Sequence, residues 1–281
     1  MQTVSAVDIT IIELTADDAT KALRLSKQES WPHRLEDWQF LLTLGRGVGA
    51  LCDGRLVGTA ILTPYGETGA TCNMIIVDPA MRGLGLGRRL VEALLADAGK
   101  RECRLIATRS GLPLYEKLGF VATGEIRQCQ GIVTAEPTET GVSDAGAADL
   151  EEIITLDHAA FGMDRRTVFT KLIEEKPFLV LRDENGLRGF ASCRPFGRGH
   201  ILGPVVARDD AAFECLLRAS IGRHAGRFLR IDLTEAAACC AEIVEKAGLA
   251  HVGGGIAMAR PVTAAKPGIA RVYTLASQAL C

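Results

Sequence analysis

The sequence predicts an α/β protein with a mixed sheet (α+β in its pairing), built as two tandem halves of which the second is degenerate. Three observations predict it. Strand and helix signals alternate through the first half. The same order returns about 130 residues later. A glycine-rich turn joins a strand to an amphipathic helix in the first half, and its counterpart in the second half has lost the glycines.

Asp8–Leu14 reads as a strand. Thr15 is an N-cap with Asp18 three residues on, opening a helix that runs to Gln28. Leu35–Leu44 is a helix with Leu35, Trp38, Leu41 and Leu42 on one face. Val48–Cys52 and Arg55–Leu62 are strands about the hairpin signal Asp53-Gly54. Ala70–Val77 is a strand. Arg88–Gly99 is a helix with the stripe Leu90, Val91, Leu94, Leu95 and Ala98. Arg104–Thr108 is a strand, Leu112–Leu118 a short helix and Phe120–Ile126 a strand.

Around Thr134–Gly146 the chain turns rich in Pro, Thr, Gly and Ser, which places a boundary there. The domains are then 1–135 and 144–281. In the second, Ala147–Ala160 and Arg165–Glu175 read as helices, with strands at Leu179–Leu181, Leu187–Cys193 and Ile201–Ala207. Asp210–His224 is a helix, Phe228–Leu233 a strand, Ala236–Ala247 a helix and Arg271–Leu280 a last strand. Three landmarks keep nearly one offset: Gly54–Gly58 with Asn185–Gly189, Val77 with Val206, and Leu118-Gly119-Phe120 with Ala247-Gly248-Leu249.

Composition narrows the function. Hydrophobic residues make up 48% and charged residues 23%, as in ordinary globular domains. A net charge of −2 gives no basic excess for nucleic acid or an anionic membrane, so neither is expected as a partner. No apolar run is long enough to span a bilayer, and Met1–Asp8 lacks a signal peptide's basic start and apolar core; a cytoplasmic location is the expectation. Nine cysteines without a C-x-x-C pair, and five scattered histidines, predict reduced thiols and no metal site.

The most informative stretch is Met74 to Leu90, where the strand ends in Val77-Asp78-Pro79 and Arg82-Gly83-Leu84-Gly85-Leu86-Gly87-Arg88-Arg89 leads into a helix. Glycines let backbone approach a ligand, and a helix N-terminus presents unpaired N–H groups, so the turn is an anion site. Arg82, Arg88 and Arg89 crowd the positive end of a helix dipole, which is unfavourable by about 0.3–1 kcal/mol each unless an anion neutralises them. The bland alternative is a solvated basic turn whose glycines serve tight packing. The spacing Gly83, Gly85, Gly87 does not fit a dinucleotide fingerprint, and Gly87-Arg88 does not fit a P-loop ending.

Arg82, Gly85 and Gly87 spell R-x-x-G-x-G after a strand, and Leu114-Tyr115-Glu116-Lys117-Leu118-Gly119-Phe120 follows at a matching separation. The two motifs together resemble the GNAT superfamily of N-acetyltransferases over residues 8–130. The whole chain resembles its tandem members, with two acyl-CoA N-acyltransferase-like domains. The resemblance implies acetyl-CoA as cosubstrate. Its diphosphate would lie on the N–H groups of Arg82, Gly83, Leu84, Gly85, Leu86, Gly87 and Arg88. Its pantetheine would lie along Asn73–Val77, with Ile75 and Val77 as main-chain contacts. Tyr115 is the implied proton donor to the leaving thiolate, a phenol of basicity similar to the thiol's; the alternative is a tyrosine packed beside Leu114 and Leu118.

The implied acceptor is the amine of a small molecule. Trp31, His33 and Asn73 are candidates to line its site, with Asp164 or Arg165 meeting a polar substrate; a capping role is the alternative for Asp164. Glu29, His33 and Glu67 are candidate bases. A non-catalytic acyl-CoA-binding module and a protein N-acetyltransferase remain alternative readings. In the second half, Val206-Ala207-Arg208-Asp209-Asp210 opens the corresponding helix with acids that repel phosphate, so one coenzyme site per chain is expected.

Overall fold

The computed structural model describes residues 8–135, 141–175, 178–263 and 268–281. Residues 1–7, and 136–140 within the expected boundary, lie outside the described residues. The chain divides into two compact units, Met1–Pro64 with Cys72–Lys100, and Tyr65–Thr71 with Arg101–Cys281. The division by packing therefore differs from the division by repeat.

In the first unit, β1 (Ile9–Leu14) leads through a 3-10 turn into α1 (Ala19–Gln28) and then α2 (Leu35–Leu44). Thr15 and Asp18 form the expected capping box, over the 3-10 turn. β2 (Arg46–Cys52) pairs antiparallel with β1 and with β3 (Arg55–Tyr65). The β2–β3 turn places Asp53 at φ 49° and Gly54 at φ 74°, a left-handed pair that Asp-Gly tolerates. β4 (Gly69–Val77) feeds the glycine turn, and α3 (Leu86–Ala98) buries Leu86, Leu90, Val91, Leu94 and Ala98. Gly58 lets α3 approach: a Cβ there would stand 2.9 Å from Leu90.

In the second unit, Gly69–Thr71 of β4 pairs in parallel with β5 (Glu102–Ala107). α4 (Leu112–Lys117) and β6 (Val121–Ile132) follow, then β7 (Val142–Asp144), α5 (Leu150–Phe161), α6 (Arg166–Glu175), β8 (Leu179–Asp183), β9 (Gly186–Phe196) and β10 (Gly199–Ala207). The chain continues through α7 (Asp210–Gly222), β11 (Phe228–Leu233), α8 (Ala241–Lys246), β12 (Ala250–Arg260) and β13 (Arg271–Thr274). The strand order is β5-β12-β6-β11-β13-β10-β9-β8-β7. The core centres on α7, with Phe213, Leu216 and Leu217 against Leu202, Val205, Leu229 and Ile231.

Four expectations are corrected. Ala236–Ala247 is not one helix: Glu235–Cys240 is 3-10, and Cys240 at φ −113° and ψ 13° breaks it from α8. The strand expected to end at Ile126 continues to Ile132, because its second half pairs with β11 from Phe228↔Ile132 to Leu233↔Arg127. The last strand stops at Thr274, and Gln278–Leu280 is a 3-10 turn. β12 was not anticipated. It lies between β5 and β6, with Ile256 facing both Ala107 and Glu125. Each half of the sequence thus contributes a strand beside those of the other, which explains why residues 101–135 pack in the second unit.

Candidate active site

The glycine turn forms as the sequence predicts. Asp78 ends β4; its Oδ1 accepts from Ala80 N at 3.1 Å and starts a 3-10 turn over Pro79–Met81. Gly83 (φ 79°) and Gly85 (φ 74°) are left-handed, and Gly85 is the N-cap of α3 with no side-chain cap bond. At both positions an added Cβ would meet nothing within 4 Å. At these two positions the glycines serve backbone conformation rather than tight packing. The N–H groups of Leu86, Gly87 and Arg88 belong to the first turn, which no intrahelical carbonyl satisfies. Unpaired N–H groups at a helix N-terminus are donors suited to an anion.

Each of the three arginines of the turn has a partner. Arg82 is half exposed; its Nε donates to Val77 O at 3.4 Å and its guanidinium pairs with Glu29. Arg88 donates to Glu92 at 2.7 Å and Arg89 to Ile9 O at 3.4 Å. Behind them, nearly buried Asp78 receives Arg55 at 3.1 Å and lies 3.6 Å from Arg24 of α1. Burial alone would push the Asp78 carboxyl up, but the Ala80 N–H and the Arg55 and Arg24 guanidiniums outweigh it and hold it below the ordinary value.

β4 presents Ile75 and Val77 as its only part-exposed positions; its other residues are buried. Between them and the hairpin, Met74 adopts φ 49°, a left-handed conformation strained for a non-glycine residue, and Thr59 Oγ1 donates to its carbonyl at 2.8 Å. Sequence reasoning missed both residues, since nothing in a Met or a Thr announces a left-handed residue within a strand. Asn73 is buried; its Nδ2 donates to Thr63 Oγ1 at 3.0 Å. Trp31 and His33 face each other edge-on at 5.7 Å, both half-buried.

Tyr115 lies in the other unit, on α4. It is buried, with its ring edge-on to Phe120 at 6.0 Å and its main chain accepting from Phe120 N. Gly111 starts α4, and a Cβ there would stand 3.0 Å from the Tyr115 ring. Glu67 is exposed beside Arg101 at 3.5 Å. Asp164 caps α6, accepting from Arg166 N at 2.9 Å. Arg165 is no substrate contact: it is fully buried against Asp157, with its guanidinium 3.8 Å from the Phe161 ring centre.

Among the described residues of the second half, the corresponding helix start at α7 forms no such glycine cradle. Asp209 caps α7 through Ala212 N at 2.9 Å, and Asp210 follows in the first turn. β10 and β11 pair in parallel only from His200↔Leu229 to Leu202↔Ile231. Beyond that point β13 lies between them, with Thr274 opposite both Val205 and Leu233. Tyr273 stacks on Phe213 at 4.2 Å and donates its hydroxyl to Asp210 at 2.7 Å. Among the described residues no group of three or more His, Cys, Asp or Glu side chains is arranged to hold a metal, and no helix is long and apolar enough to cross a membrane.

A β-strand that ends in a glycine cradle at a helix N-terminus, set in a repeated α/β frame, defines the GNAT acetyltransferase class, and the chain belongs to this family. Acetyltransferase (GNAT) domain families match residues 45–122 and 153–274. The uncharacterized N-acetyltransferase YitH of Bacillus subtilis is 28% identical over 232 residues, 79% of this chain and 81% of the relative. Holothin acyltransferase of a Pseudoalteromonas species is 23% identical, over 69% of this chain and 68% of the relative. The N-alpha-acetyltransferase RimI of Mycobacterium tuberculosis is 32% identical over 128 residues, 41% of this chain and 80% of the relative. A Pyrococcus horikoshii protein described as an acetyltransferase shares the fold with a TM-score of 0.82 at 19% identity, covering 100% of this chain and 99% of that one.

Proposed function

We propose that this protein is an acetyl-CoA-dependent N-acetyltransferase that acylates the amine of a small molecule in the cytoplasm. The observation that carries the coenzyme assignment is the pair Gly83 and Gly85, both left-handed, both facing open space, at the start of a helix flanked by Arg82, Arg88 and Arg89. Bound there, acetyl-CoA supplies an activated thioester. The N–H groups from Arg82 to Arg88 hold the diphosphate. The main chain at Ile75 and Val77 aligns the pantetheine arm, and an N–H of this strand stabilises negative charge on the thioester oxygen. Tyr115 gives its phenolic proton to the departing thiolate.

The small-molecule acceptor is supported by the relatives that share both halves of the chain: among them, holothin acyltransferase is named for its acceptor. RimI, an N-alpha-acetyltransferase, matches 41% of this chain. Trp31, His33, Asn73 and Asp164 remain the residues proposed for the acceptor side.

Thiol release from acetyl-CoA, followed with a panel of small amines and with N-terminal peptides, tests the reading. Turnover with small amines at rates well above peptides is the expected result. Turnover with peptides alone overturns the acceptor class. Tight binding of acetyl-CoA without turnover on any acceptor makes the protein a coenzyme-binding module instead.

A further inference from the structure

We propose that Glu29 is a built-in competitor for the coenzyme: its carboxylate holds Arg82 while the glycine loop is empty, yields it to the diphosphate, and takes it back as spent coenzyme A leaves. The inference rests on the coenzyme site proposed above and assigns a residue outside that loop to coenzyme exchange.

Glu29 is fixed in place by the end of α1. Its N–H bonds Leu25 O at 3.3 Å. Ser30 follows at φ 58°, with its N–H on Lys27 O at 3.0 Å, and Trp31 N bonds Ser26 O at 2.9 Å. This is the left-handed stop that closes many helices, here without a glycine. Ser26 is itself buried and takes the indole N–H of Trp38 at 2.9 Å. The turn therefore cannot drift, and the Glu29 side chain reaches Arg82 from a set position. α1 also meets the start of the loop, where Arg24 approaches Asp78 at 3.6 Å. The helix thus engages the coenzyme loop at two points, once through a cation and once through an anion.

The chemistry of the second contact is unusual for a site meant to hold an anion. Arg82 presents a planar fork of five N–H donors. One donor goes to Val77 O and another to Glu29. A carboxylate bonded to the first cation of the loop repels an incoming diphosphate. Both side chains are substantially solvated, 53% exposed for Arg82 and 25% for Glu29, and an ion pair so placed adds little to folding. The pair does have value when the loop is empty. Arg82, Arg88 and Arg89 then crowd one helix N-terminus, and Glu29 neutralises one of them. A diphosphate carries more charge than a carboxylate and also bonds the loop N–H groups, so it displaces Glu29. The return of Glu29 to Arg82 lowers the barrier to coenzyme departure.

Glu29→Gln separates charge from shape, because the amide still accepts from Arg82. Titration calorimetry with coenzyme A, and dissociation rates by stopped flow, would compare wild type, Glu29→Gln, Arg82→Gln and the double variant at low and high salt. Glu29→Gln is expected to bind coenzyme A about two- to tenfold tighter, with slower release. The gain shrinks in high salt and disappears in the Arg82→Gln background. Unchanged or weaker binding by Glu29→Gln overturns the proposal, as does an equal gain when Arg82 is absent. Wild-type protein that binds no coenzyme A overturns the functional reading and this inference with it.

Discussion

Thr59 Oγ1 donates a 2.8 Å hydrogen bond to the carbonyl of Met74, the one residue of β4 in the left-handed region. Both residues are buried. The bond gives the buried Met74 carbonyl a partner within the core. Thr59→Val keeps the shape and leaves that carbonyl unsatisfied, at a cost of about 1–3 kcal/mol. Thermal unfolding should show a midpoint lower by a few degrees. Because Met74 adjoins Ile75, the residue proposed to align the pantetheine arm, turnover should fall more than coenzyme affinity. A Thr59→Val protein of wild-type stability would show that Met74 keeps its conformation without the bond.

Tyr115 is assigned the proton for the leaving thiolate. Tyr115→Phe preserves the ring that packs on Phe120 and removes only the hydroxyl. The expected outcome is a fall in kcat of at least about tenfold with the affinity for coenzyme A nearly intact. Steady-state kinetics with a calorimetric Kd on the same sample decides it; unchanged kcat removes Tyr115 from the mechanism.

Asp78 couples the loop to pH. Its carboxyl is held below the ordinary value, where Ala80 N–H, Arg55 and Arg24 overcome the opposing effect of burial. A carboxyl whose pKa is depressed by folding contributes stability above its unfolded pKa. That contribution is lost as the pH falls through the folded value. The unfolding temperature of the wild type should therefore drop below about pH 4. Asp78→Asn should start lower at neutral pH and lose less on acidification. Parallel curves for the two proteins would exclude Asp78 as a source of the acid sensitivity.

Arg165 and Asp157 form a buried bidentate pair, with bonds of 3.0 and 2.5 Å, and Arg165 also donates to Leu280 O at 3.2 Å. Arg165→Met strands the buried Asp157 carboxylate without its partner and should cost about 3–5 kcal/mol in denaturant unfolding. Adding Asp157→Leu should recover much of that loss, since an apolar pair of similar volume avoids the desolvation of both charges. If the double variant is as unstable as the single, the charges rather than the volume hold α5 against α6.

Local signals carried the sequence reading furthest. α2 and β11 fall on the predicted residues because each is a short apolar pattern between clear breakers. The strand–glycine turn–helix arrangement was legible because three alternating glycines stand between an apolar strand and an amphipathic stripe. β12 was not legible, since Gly253-Gly254-Gly255 reads as a loop. Its reason is tertiary: a Cβ on Gly254 would stand 1.7 Å from Ile126 O, and one on Gly255 2.3 Å from Ile106. The Glu29–Arg82 and Arg165–Asp157 pairs were equally hidden, because side-chain pairing across a fold leaves no periodicity in the sequence.

The last prediction concerns how many coenzymes one chain takes. The second half repeats the strand-helix frame of the first, and its parallel strands β10 and β11 part after Leu202 and Ile231. The space so opened is filled by β13. Thr274 Oγ1 accepts from Val205 N at 3.0 Å, Leu275 N donates to Asp232 O, and Thr234 N donates to Tyr273 O. Gly203 is bare where the chain returns: a Cβ there would stand 1.8 Å from Leu275 O. At the start of α7, Asp210 accepts from Tyr273 and offers negative charge where an anion site needs none. A strand bonded on both edges and buried at Tyr273 and Thr274 does not leave for a soluble ligand. Titration calorimetry should give one coenzyme A per chain, and Arg82→Glu combined with Gly85→Glu should remove that site without exposing another. A stoichiometry of two, or residual binding in the double variant, would mean that β13 yields its place to the coenzyme.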